Sequence, residues 1–259
     1  MRILLDCDNV ICDTTRSVLD VHYEKTGERL SVDDIKTYYI ENFVSPEYKD
    51  DFYTIFLDKR VWKGVQVLPH CVEVGERLHN AGHEIWIATS TEAANVHKKA
   101  RFLQRTFPFL NIRKRLITTP YKQILNADLL IDDCVDNVIN AQYKSILMTY
   151  PWNANFDDAS DENIYRVNNW LEVEPMIEYI QTLKNSNENK EITSEDSTKN
   201  PSVINSSIIP LFLDDKQIGV VRQTENGVMS GEIYLGNLSV EMLQLSDNKY
   251  EVKAIRIKH

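Results

Sequence analysis

The chain has 259 residues, 42% of them apolar, and a formal net charge of -10. That length accommodates one sizeable core, or one domain plus a smaller one. The acidic balance argues against a broad duplex-DNA binder and a polybasic membrane contact, but leaves room for a small phosphorylated substrate held by a local cation. No run of about 18 apolar residues is present and the first residues enter a strand directly, so neither a membrane span nor a leader is expected. Cys7, Cys12, Cys71 and Cys134 form no CxxC pair and read as reduced thiols of a cytoplasmic protein.

In chain order, "RILLD" at 2–6, "EIWIATS" at 84–90, "RLIT" at 115–118, "DLLIDD" at 128–133 and "SILMTY" at 145–150 read as strands. Their near-continuous apolarity suits strands covered on both faces of a parallel sheet. Helices are expected at Cys71–Asn80, Ala93–Phe107 and Val135–Ala141, with Glu172–Lys184 closing the first domain. This rhythm predicts an α/β fold with a doubly wound, Rossmann-like parallel sheet. Residues 14 to about 68 break it and carry Tyr23, Tyr38, Tyr39, Phe43, Phe52, Tyr53, Phe56 and Trp62. They read as a helical cap inserted over the strand ends, where open α/β sheets bind ligands, or else as a helical extension packed elsewhere.

Beyond the first domain, 1–183, residues 184–206 are polar and read as a flexible linker. Residues 207–259 alternate and turn like β-hairpins, with Asp214-Asp215 and Asn226-Gly227 as turn candidates. This small β-rich domain carries no cluster of His, Cys or carboxylates, and its partner is not legible.

The chemistry gathers at strand ends. Asp6 and Asp8 follow the first strand, and Asp132 and Asp133 end "DLLIDD". Strand ends on one side of a parallel sheet lie together, so four carboxylates are expected to converge. That is unfavourable unless a hard divalent cation neutralises them, and Mg²⁺ fits. A lone DxD is weak, since solvated loop aspartates explain most; two pairs at two strand ends are stronger. Thr89 and Ser90 end another strand, where hydroxyls and backbone N–H groups suit phosphate oxygens. Lys122 precedes Asp132 by ten residues and suits phosphate or a nucleophilic carboxylate. Taken singly, Thr89 reads equally as a helix cap and Lys122 as a solvated lysine. Asp13 reads as a capping or turn residue. His79 and His83 flank Gly82 without a third ligand and read as a surface turn. Cys7 reads as a buried structural residue.

"DCDNV" at 6–10, the strand-end Thr89, Lys122 and "IDD" at 131–133 resemble the four motifs of haloacid-dehalogenase-type (HAD-like) phosphatases. More narrowly, "RLITTPYKQILNADLLIDDCVDN" at 115–137, "IATST", "MTYPWNAN" and "YRVNNWLEV" are similar to segments of the 5'(3')-deoxyribonucleotidase family, a likeness covering roughly residues 1–183. The resemblance implies a Mg²⁺-dependent phosphatase acting on nucleoside monophosphates. Asp6 would be the nucleophile that forms an aspartyl-phosphate, and Asp8 the general acid and base. Asp6, the backbone carbonyl of Asp8 and a carboxylate of Asp132 or Asp133 would hold the metal. Thr89, Ser90 and Lys122 would bind the phosphoryl oxygens.

Three places leave the family pattern: Asn9 replaces the usual glycine, Thr14 an aromatic that can pack on the base, and Glu92-Ala93 stand where some relatives carry basic residues. Trp62 reads as a base-stacking aromatic or as a packed residue of the insertion. Rival readings are a HAD-type phosphatase for a polynucleotide 3'-phosphate or a sugar phosphate, and a binding or assembly protein whose β domain carries the main role. A small-molecule partner is expected, long nucleic acid and membrane are not, and a homodimer is left open.

Overall fold

Strands that are apolar almost throughout need cover on both faces, and the chain supplies it. The computed structural model describes residues 1–192 and, beyond them, 208–213, 216–223, 228–233, 238–246 and 249–257, with backbone alone from 185 onward. Six parallel strands, β1 (Arg2–Leu5), β2 (Glu84–Thr89), β3 (Leu116–Thr118), β4 (Leu129–Asp132), β5 (Lys144–Met148) and β6 (Ile164–Val167), form a sheet of order β3-β2-β1-β4-β5-β6. β1 is central, pairing Ile3 with both Ile85 and Leu129. The chain builds outward on one side of β1, then crosses to build on the other. The gap between β1 and β4 is therefore the topological switch point, where the strand ends leave a crevice.

The five strands expected from apolar runs are all present, and β6 is an addition. "IYRV" buries only Ile164 and Val167 fully, as an edge strand does, so it lacks a continuous apolar run. Helices α1 (Thr14–Thr26), α2 (Pro46–Lys49) and α3 (Lys59–Gly64), with 3-10 turns at Val32–Asp34, Ile40–Asn42 and Phe52–Leu57, make up the insertion. Asp13 caps α1 by accepting from the Arg16 N–H at 3.2 Å. Glu28 ties the insertion together, pairing with buried His22 Nε2 at 2.6 Å and accepting from the Ser45 backbone at 3.0 Å. There follow α4 (Cys71–Asn80), α5 (Ala93–Thr106), α6 (Ile112–Arg115), α7 (Val135–Ile139) and α8 (Val173–Ile192). α4 buries Cys71, Val74, Gly75 and Leu78, the i, i+3, i+4, i+7 stripe of a helix laid on a core.

The chain divides into two units, Met1–Glu174 and Pro175–His259. In the second, β7 (Ile208–Leu213), β8 (Lys216–Gln223), β9 (Val228–Ile233), β10 (Leu238–Ser246) and β11 (Lys249–Ile257) form an antiparallel meander. The expected turns at Asp214-Asp215 and Asn226-Gly227 lie outside the described residues. α8 runs to Ile192, past the expected linker start at 184, and "NSNENKEI" contains no Gly or Pro to stop a helix. The rest of that segment lies outside the described residues. Among the described residues, no helix is long and apolar enough to cross a membrane.

Candidate active site

The site begins where β1 ends. Asp6 still donates its N–H to the Ile131 carbonyl of β4 at 2.9 Å, and the chain then folds back in a turn closed by Ile11 and Cys12 N–H groups on the Cys7 carbonyl. The turn requires a left-handed residue, and Asn9 takes it at φ 57°. Asparagine tolerates that region better than most residues. Its side chain also works: Nδ2 donates to Asp133 Oδ2 at 3.1 Å, and Oδ1 accepts from the Thr15 N–H at 3.1 Å. One side chain thus ties the β1 turn to α1 and to the end of β4. Trp170 Nε1 pins the same turn through the Val10 carbonyl at 2.6 Å.

Asp6, Asp132 and Asp133 are buried and each places a carboxylate oxygen within 4.8 Å of the others. Lys122, only 2% exposed, stands among them, 2.8 Å from Asp6 Oδ1 and 2.5 Å from Asp132 Oδ2. The two second-pair aspartates differ sharply in what they meet. Asp132 Oδ1 accepts from the Cys134 N–H at 2.9 Å, and Asn137 Nδ2 lies at 3.2 and 3.1 Å from its two oxygens. With Lys122, both oxygens are taken up by protein donors. Among the described residues the Asp133 carboxylate accepts from Asn9 alone, through Oδ2, while its backbone carbonyl accepts from Asn153 Nδ2 at 2.8 Å. Burial raises the Asp6 carboxyl to about 6; Lys122 opposes the shift, and the neighbouring Asp132 and Asp8 charges add to it. Burial, then the charges of Asp132 and Asp6, pushes Asp133 well above the usual carboxylate range. For Lys122, burial acts against the charged form, and Asp132 and Asp6 outweigh it, holding the ammonium above its usual value. Buried carboxylates whose ionisation is this unfavourable, with oxygens not consumed by protein donors, fit a hard divalent cation.

The fourth carboxylate stands apart, so the expected cluster of four is a cluster of three. Asp8 Oδ1 accepts from Thr14 Oγ1 at 2.7 Å, while Oδ2 accepts from Lys99 Nζ and lies 3.5 Å from Thr89 Oγ1. The same ammonium donates to Thr89 Oγ1 and to the Ser90 carbonyl, both at 2.9 Å. Lys99 is 3% exposed, although in the sequence "HKKAR" looks like an ordinary solvated helix face. The buried face of α5 is Asn95, Lys99, Phe102, Leu103 and Thr106, so Lys99 occupies a core position, and its helical spacing was the available signal. Thr89 and the Ser90 carbonyl thus meet Asp8 through this shared lysine. His79, expected in a surface turn, lies in the last turn of α4 and stacks on Phe109 at 5.5 Å.

These groups line a cavity of about 600 Å³ together with insertion residues Tyr38, Ile40, Tyr53, Phe56 and Trp62, and with Trp152. Asp6, Asp8, Ser90, Lys122 and Asp133 share it; Thr89 and Asp132 sit just behind. Trp62 is 7% exposed, with Lys99 Nζ 5.4 Å from its ring centre and Phe102 edge-on at 6.1 Å. Tyr38, 54% exposed, and the stacked pair Tyr53–Phe56 present more aromatic surface.

The family profile described as "5' nucleotidase, deoxy (Pyrimidine), cytosolic type C protein" matches residues 1–184. A protein of Clostridium acetobutylicum described as a 5'(3')-deoxyribonucleotidase is 26% identical over 174 residues, 65% of this chain and 93% of its own length. A protein of Staphylococcus epidermidis, provisionally described in the same words, is 28% identical over 174 residues, 66% of this chain and 93% of its own. Among solved structures, a HAD family hydrolase from Deinococcus radiodurans, with phosphate and sodium bound, is 16% identical at a TM-score of 0.45, covering 70% of this chain and 96% of that one.

Proposed function

The chain belongs to the 5' nucleotidase, deoxy (pyrimidine), cytosolic type C family and is a phosphoric monoester hydrolase; on that premise we propose that it hydrolyses nucleoside monophosphates, deoxy forms preferred, through an aspartyl-phosphate. The observation that supports this most is the pairing of Asp6, beside Lys122, with a separately held Asp8 in one aromatic-lined cavity. A nucleophile and a proton donor that are neighbours in sequence yet differently held suit an in-line displacement.

In the first half-reaction an Asp6 carboxylate oxygen bonds to phosphorus, the bond from phosphorus to the nucleoside oxygen breaks, and Asp8 gives that oxygen its proton. In the second, Asp8 takes a proton from water, the water oxygen bonds to phosphorus, and the bond to Asp6 breaks, releasing phosphate. Lys122 donates to Asp132 and pairs with Asp6 at 2.8 Å, and its remaining N–H capacity suits a phosphoryl oxygen. Ser90, which lines the cavity, suits a remaining oxygen; Thr89, expected to do the same, is fully buried behind it and accepts from Lys99. Asp6 and Asp133 would hold a divalent cation, Mg²⁺ by its preference for oxygen ligands, while Asp132 fixes Lys122. When bound, the cation neutralises charge on the phosphoryl group. The aromatic side chains of the insertion suit a nucleobase. The four free thiols support a reducing, cytoplasmic setting.

The test is phosphate release from deoxy- and ribonucleoside monophosphates, sugar phosphates and a 3'-phosphorylated oligonucleotide, with Mg²⁺ and with EDTA. Turnover on deoxynucleotides that needs Mg²⁺ and vanishes in Asp6→Asn is expected. Turnover that survives EDTA or Asp6→Asn refutes the mechanism, and preference for another phosphate ester refutes the substrate.

A further inference from the structure

A buried lysine needs a reason, because its ammonium gives up water and its long stem gives up rotamer freedom. Lys122 has one in the three-carboxylate cluster. Lys99 lies outside that cluster, and its contacts define its task. An ammonium has three donors, and those of Lys99 go to Asp8 Oδ2, Thr89 Oγ1 and the Ser90 carbonyl. None is left for a phosphoryl oxygen. The ring of Trp62 faces the same ammonium from the insertion. One helical turn earlier, Asn95 Nδ2 donates to the Phe56 carbonyl at 2.8 Å, so the face of α5 that carries Lys99 is also tied to the insertion. Across the carboxylate, buried Thr14 at the start of α1 spends its one hydroxyl proton on Asp8 Oδ1 at 2.7 Å.

An aspartate's last torsion is broad and roughly two-fold, so a single anchor leaves the carboxylate free to swing. Two anchors, one per oxygen, from two different helices remove that freedom. We propose that Lys99 and Thr14 are positioning residues, which together hold the Asp8 carboxylate by both oxygens in the orientation that serves the leaving-group oxygen. This rests on the acid/base reading of Asp8 above. Proton transfer is effective only from a group held within hydrogen-bond reach of the reacting oxygen, which makes orientation part of the rate.

The experiment compares kcat/KM, which reports steps up to leaving-group departure, on two substrates with Mg²⁺ present. A deoxynucleoside 5'-monophosphate has an alkoxide leaving group that needs a proton; 4-nitrophenyl phosphate has one that does not. The full-length variants are Asp8→Asn as benchmark, Lys99→Met, which keeps the stem and drops the ammonium, Thr14→Val and Thr14→Ser. Asp8→Asn should lose at least about 100-fold on the nucleotide and far less on the aryl ester, the usual size of a general-acid contribution. Lys99→Met and Thr14→Val should show the same split at about 10-fold, and Thr14→Ser should restore it, since orientation supplies part of that contribution. If Lys99→Met lowers both substrates alike, or raises KM alone, Lys99 holds the phosphate or the fold and the proposal is overturned. If Asp8→Asn shows no split, the acid/base reading falls and takes the positioning with it. If Asp8→Asn shows the split and the others do not, the positioning alone falls. Should Lys99→Met fail to fold, the Thr14→Val and Thr14→Ser pair decides.

Discussion

Asp132→Asn and Asp133→Asn should have opposite signatures although the residues are adjacent. Asp132 is fully buried and is the closest partner of Lys122. Neutralising it sets an amide N–H₂ among donors and strips a buried ammonium of one of its two counter-charges. Breaking a buried pair costs about 3–5 kcal/mol, and the surviving Asp6 contact places this case near the lower end. At roughly 2–4 °C per kcal/mol for a unit of this size, the midpoint should fall by about 6–12 °C. Asp133 is a carboxylate whose burial and neighbours already oppose ionisation, and an asparagine there still accepts from Asn9. Metal-free Asp133→Asn should therefore melt within about 4 °C of the parent, since a change below about 1 kcal/mol moves the midpoint no further. With Mg²⁺ the order reverses. A cation at a hundred times its Kd stabilises by about 2.7 kcal/mol, a gain the parent and Asp132→Asn should show and Asp133→Asn should lack. Tryptophan fluorescence is the assay, because all four tryptophans, Trp62, Trp86, Trp152 and Trp170, lie in the unit Met1–Glu174. If Asp132→Asn abolishes the Mg²⁺ shift while Asp133→Asn keeps it, the division of labour drawn from their hydrogen bonds is wrong.

Three further outcomes follow from the geometry. Asp6, raised to about 6, binds its proton more tightly folded than unfolded, so the metal-free protein should lose stability as pH rises from 4 towards 6; cation affinity should run the other way, weakening about tenfold per unit below pH 6, by calorimetric titration at pH 5 to 8. Asn9→Ala should destabilise by about 2 kcal/mol, combining left-handed strain with two lost hydrogen bonds, and Asn9→Gly by less, because glycine removes only the strain; thermal melts rank the three proteins. Asn95→Ala removes the α5 anchor on Phe56 and should raise the nucleotide KM about fivefold, one hydrogen bond's worth, with kcat held within about twofold, by steady-state kinetics.

The sheet was legible because burial on both faces leaves a continuous apolar run, and "RILL", "EIWIAT" and "LLID" carry that mark without ambiguity. The acidic residues were legible for the complementary reason: Asp6, Asp132 and Asp133 interrupt such runs where a carboxylate has no business unless something neutralises it. β6 was not, because an edge strand with two fully buried residues has too short a pattern. Of the aromatic lining, Trp62 stands out in the sequence; which other rings of the insertion face the cavity depends on irregular 3-10 turns that have no period to read.

Asn9, Thr14 and Lys99 illustrate a different limit. In the sequence Asn9 and Thr14 stand out only as departures from a family pattern, and Lys99 is one of a basic run. In the structure all three make hydrogen bonds to the strand-end carboxylates. The sequence shows which charges must be buried, since they sit in apolar runs, but not which neighbours offset them, since those come from helices far along the chain and meet only through the fold. The two lysines make the point. Lys122 serves Asp6 and Asp132, and Lys99 serves Asp8, so each cation is assigned to one half of the chemistry. Both aspartates thus face an ammonium, and what separates them is the rest of their surroundings: Asp6 is buried beside Asp132 and Asp133, while Asp8 lies between Thr14 and Lys99. Separate partners, one at β4's end and one on α5, let residues two apart in sequence take different roles.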